Sequence, residues 1–329
     1  MKHPVEAWLT DRWYGGVAPG LGLRTLAGIY RTIRQLRPLE PVESIPVPVL
    51  VVGNFTAGGT GKTPLVIALA QYFAGRGLAP GIITRGHGRR SDAPLRVDDS
   101  TPVEACGDEP KVMFEKTGFP VLVDRNRVAA ARAALAAGCQ LVLADDGLQH
   151  RRLGRDIEIE VVDGSRRYGN GLLLPAGPLR EPPRPCDFRV VNGGLAQDGE
   201  WSMLLKLGDA VSLADPSRRR SLSSFATAPV QAVAGIGNPS RFFSALRNAG
   251  LQPGEHPFPD HHAFRPEDFD GLSGPILMTD KDAVKCRGLA LDDAWAVAAD
   301  AELDPEFFVA VERKLAAVER KLRQVHAGS

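Results

Sequence analysis

The chain has 329 residues, 43% of them apolar, enough for a sizeable buried core in two domains or one large one. Its 40 lysines and arginines nearly balance 39 aspartates and glutamates, which excludes the cationic excess that would make nucleic acid the expected partner. Four scattered cysteines, Cys106, Cys139, Cys186 and Cys286, form no CxxC pair, so neither a zinc site nor a disulfide framework is expected, and a reducing cytoplasm fits best.

Residues 8–36 place Trp8, Trp13, Tyr14 and Tyr30 among leucines and arginines. On a helix, Leu26, Ile29, Tyr30, Ile33 and Leu36 share one face, with Arg24, Arg31 and Arg34 along its flank. That pattern suits either an anionic membrane surface or a helix packed on its own domain. No apolar run approaches the roughly 18 to 20 residues of a membrane span, and a signal-peptide core is lacking.

Next come a β-branched strand at 46–53, a helix at 63–76 and a strand at 81–84, a βαβ unit. Further apolar strands are predicted at 120–123, 141–144, 157–162 and 188–191, with an alanine-rich helix at 127–137. Between 193 and 229 the periodicity fades into Gly, Ser, Asp and Arg, the composition of a boundary. Strands at 230–234, 276–278 and 295–298, a helix at 242–248 and a C-terminal helix from Pro305 then outline a smaller αβ unit. The expected fold is α/β, a P-loop NTPase-like, mainly parallel sheet flanked by helices with a smaller second αβ domain. The divisions are 1–40, an N-terminal segment; 41–193, the P-loop domain; 194–228, a linker; and 229–329, the second domain. There is no internal repeat.

The chemistry concentrates where the first strand enters its helix. Thr56-Ala57-Gly58-Gly59-Thr60-Gly61-Lys62-Thr63 reads as a phosphate-binding loop, in which glycines let backbone N–H groups surround a phosphate at a helix N-terminus. Lys62 would neutralise the β/γ oxygens of ATP, and Thr63 would place its hydroxyl on Mg²⁺. Pro64 suits the first helical turn, where no N–H is needed. The usual first glycine is Thr56 here. Strand 141–144 runs into Asp145-Asp146, an acidic ending suited to nucleotide-bound Mg²⁺. The basic turn at 84–90 could bind a phosphorylated substrate. Asp108 and Glu109, ahead of Pro110, read by themselves as a helix cap. Pro259-Asp260-His261-His262 lacks the spacing of a zinc site.

Several long segments in one order carry a resemblance. They are VGNFT leading to GGTGKTP, RGHGR, GDEP, DDGLQHRRL from Asp145, DGSRRYGNGLLLPAGPLREP from Asp163, the DHH segment, and MTDKDAVKC from Met278. Together they make the sequence similar to the tetraacyldisaccharide 4′-kinases, the lipid A 4′-kinases of Gram-negative bacteria. The resemblance implies transfer of the ATP γ-phosphate to the 4′-hydroxyl of a tetraacylated glucosamine disaccharide 1-phosphate. It also implies Asp108 as general base assisted by His261, Glu109, Asp145 and Asp146 at Mg²⁺, and Gln149 and His150 lining the reaction centre. Arg180 would stabilise the transferring phosphoryl charge. A hydroxylated residue opens the loop in that family, so Thr56 conforms, whereas His87 stands where tyrosine is common. An acylated substrate resides in a membrane, so residues 1–40 become a peripheral docking segment for the cytoplasmic leaflet of the inner membrane, with no obligate protein partner expected. The alternative is a MinD/ParA-like nucleotide-switched membrane ATPase, whose signature lysine early in the loop is replaced here by Ala57.

Overall fold

The structure, a computed structural model, describes residues 4–36, 38 and 40–327. Residues 1–3, 37 and 39 of the expected N-terminal segment, and 328–329 of the C-terminal one, lie outside the described residues.

Helices α1 (Pro4–Tyr14) and α2 (Leu21–Leu36) precede the sheet. The first βαβ unit is β1 (Val49–Gly53), α3 (Lys62–Gly75) and β2 (Pro80–Thr84). It is followed by β3 (Leu95–Arg96), α4 (Val103–Cys106), α5 (Asp108–Thr117), β4 (Val121–Val123), α6 (Arg127–Ala136), β5 (Leu141–Asp145), β6 (Ile157–Asp163) and β7 (Phe188–Asn192). The remaining elements are β8 (Trp201–Ser212), β9 (Arg219–Arg220), β10 (Gln231–Ala234), α7 (Pro239–Asn248), β11 (Gly254–Pro257), β12 (Ile276–Thr279), α8 (Asp280–Cys286), β13 (Ala294–Leu303) and α9 (Pro305–Ala327). β1, β2 and β5 are buried along their whole length, which is why they read as continuous apolar runs rather than alternating ones.

Among the described residues all strands belong to one sheet, in the order β11-β10-β12-β13-β8-β7-β6-β1-β5-β2-β4-β3, with β9 on β8. Strands β10 to β13 pair in parallel with one another, as do β8, β7, β6, β1, β5, β2 and β4. The two blocks meet antiparallel at β8 and β13. β7 ends at Asn192 beside Met203, and β12 ends at Thr279 beside Val297, which lies opposite Ala210. The C-terminal ends of both blocks therefore face each other across residues 203–210 of the ladder, roughly 23 Å at the usual rise. In open α/β sheets ligands bind beyond such ends, and here two sets share one cleft.

The segment 201–212, expected as linker, is instead this twelve-residue strand. Its burial does not alternate cleanly, because it bridges two blocks and is covered differently along its length. α9 also returns to the first block: Phe307, Val311 and Leu315 are buried with Leu65, Leu69 and Phe73 of α3, and Phe308 stacks on Tyr72 at 4.9 Å.

α2 has no buried residue. Tyr30 and Arg34 on one side pin it, both donating to the carbonyl of Arg180, at 2.8 and 2.6 Å, while Arg34 also pairs with Glu181 at 2.7 Å. Leu26, Ile29, Ile33 and Leu36 stay at least half exposed. Among the described residues no helix is long and apolar enough to cross a membrane.

Candidate active site

The phosphate loop begins where β1 ends. Asn54, almost fully buried, donates from Nδ2 to the carbonyl of Thr56 at 2.8 Å and accepts from Lys62 Nζ at 3.0 Å, so one side chain ties the two ends of the loop together. Gly58 and Gly61 have φ of 107° and 92°, backbone that L side chains rarely adopt. Ala57 donates to the carbonyl of Pro178 at 2.7 Å, and Thr56, Thr60 and Thr63 are buried. Lys62 and Thr63 open α3, so the helix N-terminus points into the loop.

β5, adjacent to β1, delivers Asp145 and Asp146 beside that loop. Asp146 adopts φ of 51° and pairs with Lys62 at 3.3 Å and Arg180 at 2.8 Å. Burial opposes its ionisation, yet those two cations hold its carboxyl below the usual range. Asp145 is fully enclosed, with Thr84 donating to Oδ2 at 3.3 Å and Oδ1 lacking any hydrogen-bond partner. Burial, reinforced by the negative charges of Glu109 and Asp146, pushes its carboxyl up to about 7. Arg127, also buried, donates to the carbonyls of Asp124 at 2.8 Å and Asp145 at 3.4 Å, and burial lowers its guanidinium to about 10.

The opposite wall comes from α5 and the second block. Asp108, the first residue of α5, accepts from the backbone N–H of Glu109 at 2.8 Å through Oδ1 while Oδ2 lies 2.9 Å from His261 Nδ1. From the first turn of its helix, where a negative charge suits the N-terminal dipole, it meets a histidine 153 residues away. Burial opposes ionisation of Asp108, but the His261 hydrogen bond and the Lys281 charge bring its carboxyl to about 2. The same hydrogen bond, against burial, raises the His261 imidazole above its ordinary value. His261 has φ of 58°, and its ring lies 5.1 Å from that of His87. His262 instead pairs with Asp268 at 2.9 Å.

Glu109 forms an ion pair with Lys281, the second residue of α8, which holds its carboxyl below the ordinary value although burial opposes this. Lys116 to Asp280, 3.3 Å, and Arg287, just past α8, to Glu115, 2.6 Å, add two more ion pairs from α5 to this region. Gln149 donates to the carbonyl of Asn54 at 2.9 Å and to Glu181 at 3.1 Å, which makes it a brace for the start of the loop. His150 has an unpartnered, buried Nδ1 and is driven towards neutrality by burial and then by Arg127. Sequence reasoning gave no role to Lys281, Asn54 or Arg127, although Asn54 lies within the VGNFT segment. Lys281 lies within the recognisable MTDKDAVKC segment, but its partner is 172 residues away.

A sequence model of the tetraacyldisaccharide-1-P 4′-kinases matches residues 21–316. The chain belongs to the tetraacyldisaccharide-1-P 4′-kinase family. Among family members, the "Tetraacyldisaccharide 4'-kinase" of Stenotrophomonas maltophilia (strain R551-3) is 48% identical over 323 residues, covering 92% of this chain and 95% of the relative. That of Xylella fastidiosa (strain 9a5c) is 48% identical over 326 residues, covering 93% and 96%. The crystal structure of the "apo" form of LpxK from Aquifex aeolicus in complex with ATP superposes with a TM-score of 0.73 at 25% identity, over 88% of this chain and 98% of that one.

Among the described residues no three His, Cys, Asp or Glu side chains converge as a ready metal cage. A nucleotide-bound Mg²⁺ needs none, since it takes most of its ligands from phosphate and water.

Proposed function

We infer that this tetraacyldisaccharide-1-P 4′-kinase family member is an ATP-dependent kinase that transfers the γ-phosphate to the 4′-hydroxyl of a tetraacyl glucosamine disaccharide 1-phosphate, a lipid A precursor. The observation that carries the reading is the meeting of a phosphate loop with the Asp108–His261 pair, 2.9 Å apart, in one cleft of a chain of this family. The P-loop block, 41–193, supplies the ATP site, and the block of 229–329 supplies His261 and Lys281.

The acidic residues fit Mg²⁺. Among the described residues Asp145 Oδ1 is a buried oxygen without a hydrogen-bond partner, and burial, with the charges of Glu109 and Asp146, pushes the carboxyl to about 7. Asp145 and the Thr63 hydroxyl would hold the ion, with the ion-paired Asp146 and Glu109 adding negative charge beside it, and when bound with ATP it would offset charge on the β/γ oxygens. Lys62 and Arg180 carry fixed positive charge to the same phosphates. Both rest on Asp146, so the carboxylate keeps them oriented.

Asp108 accepts the proton of the attacking 4′-hydroxyl. Its low carboxyl value makes it fully ionised at neutral pH, and the hydrogen bond with His261 fixes the direction of its free lone pairs. The apolar face of α2, flanked by arginines, seats the enzyme peripherally on the cytoplasmic leaflet of the inner membrane, where the acyl chains of the substrate lie. The test is incubation of purified protein with ATP, Mg²⁺ and a tetraacyl disaccharide 1-phosphate in detergent. A 4′-phosphorylated product is expected; ATP turnover that responds only to a protein partner would overturn the reading.

A further inference from the structure

Two residues that neither the family resemblance nor the reaction singles out control one peptide of the phosphate loop. Asn192, the last residue of β7, is 1% exposed, and its Nδ2 donates to the carbonyl of Thr60 at 2.8 Å. Its Oδ1 accepts from Nη2 of Arg241 at 2.7 Å, and the same nitrogen lies 3.4 Å from the Asn192 carbonyl. Arg241 also stands 3.8 Å from Asp163. Arg241 belongs to α7 in the second block, Asn192 to the first, so the chain of contacts crosses the cleft.

In a trans peptide the C=O and N–H point to opposite sides of the plane. Holding the Thr60 carbonyl against Asn192 therefore turns the N–H of Gly61 away from Asn192, the orientation in which it can join a phosphate nest. Contact is close at this point: a Cβ added at Gly61 would fall 2.3 Å from Asn192 Nδ2. The asparagine amide alone could face the loop with either end. A guanidinium has only donors, so Arg241 demands the oxygen and leaves the NH₂ for Thr60.

We propose that Asn192 and Arg241 are positioning residues for ATP binding, in which Arg241 orients the Asn192 amide, and Asn192 holds the Thr60–Gly61 peptide with its N–H free for phosphate. The placement of α7 is thereby coupled to the phosphate loop. This inference rests on the proposed nucleotide site, although neither side chain is assigned a contact with ATP itself.

Asn192→Asp separates the two roles. It preserves shape and strengthens the contact with Arg241, but it sets a carboxylate oxygen against the Thr60 carbonyl. The KM for ATP and the Kd for Mg·ATP should both rise by about 10-fold or more, with the KM for the lipid and the Tm nearly unchanged. Arg241→Met, at a side chain 36% exposed, should fold normally and weaken ATP in the same direction but less, because the amide is then free to flip. Arg241→Lys, which keeps one donor, should recover part of that loss. The double variant Asn192→Asp/Arg241→Met should bind ATP no worse than Asn192→Asp alone. Wild-type ATP affinity in Asn192→Asp, or equal losses for ATP and lipid with a lowered Tm, would overturn the positioning role. Absence of Mg·ATP binding by the wild type would instead overturn the nucleotide reading and this inference with it.

Discussion

Lys62 Nζ lies 3.3 Å from Asp146 Oδ1 and 3.0 Å from Asn54 Oδ1, so the loop lysine is held by the acid of the neighbouring strand and by the residue that closes the loop. Lys62→Ala leaves Asp146 its second partner, Arg180, and costs Asn54 one donor while Asn54 keeps its bond to the Thr56 carbonyl. Phosphoryl transfer should fall by about 10²-fold or more. The cooperative thermal transition should persist within a few degrees. Loss of that transition in calorimetry would assign Lys62 to the fold rather than the chemistry.

Asp145→Asn should move activity and stability in opposite directions. The carboxyl of Asp145 is raised by burial to about 7, above the roughly 3.9 of an unfolded chain. Its contribution to stability is therefore full below the unfolded value and is lost as pH rises through about 7. In metal-free protein at pH 8 the asparagine should raise the Tm by a few degrees. The same change should weaken the Mg²⁺ dependence of the reaction. An unaltered Mg²⁺ titration would remove Asp145 from the metal site.

How much of this was legible depended on distance along the chain. The phosphate loop and Asp145 could be read directly, because glycines, lysine and strand-end acid lie next to the elements that position them. Asp108 read alone as a helix cap, whereas Gly107 holds the N-cap position and Asp108 is the first helical residue; its contact with His261 spans 153 residues and entered only through the resemblance. Lys281 on Glu109 and Asn192 under Thr60 left no local trace, since each is defined by where the sheet returns the chain. β8 was hidden for a related reason: Met203 is buried by the first block and Ala210 by the second, so no single period describes the strand.

The α2 face can be tested without touching the core. Ile29 and Ile33 are 51% and 54% exposed, so Ile29→Asp/Ile33→Asp should leave the Tm unchanged. Each isoleucine seated in a membrane contributes about 1.5–3 kcal/mol, so binding to anionic vesicles should drop by about 10²-fold or more. The KM for the lipid should rise with it while that for ATP stays constant. Full vesicle binding by the double variant, measured by co-sedimentation, would remove α2 as the docking surface.

The proposed proton acceptor is the sharpest case, because its two halves come from opposite blocks of the sheet. The hydrogen bond between His261 and Asp108 raises the imidazole, so that contribution to stability is full below the ordinary histidine value and fades as pH rises through the folded one. Nuclear magnetic resonance should show His261 titrating above an ordinary histidine, and Asp108→Asn should bring it back down. If the pair acts as one unit, Asp108→Ala and His261→Ala should each lower kcat, with little change in ATP affinity, by about the 10²- to 10⁴-fold typical of general-base help. The double variant should then be scarcely worse than the poorer single one, because either change already leaves the hydroxyl without an oriented base. Losses that multiply would show two independent functions. Asp108→Ala that lowers only the Tm would reduce the residue to a stabilising acid in the first turn of its helix.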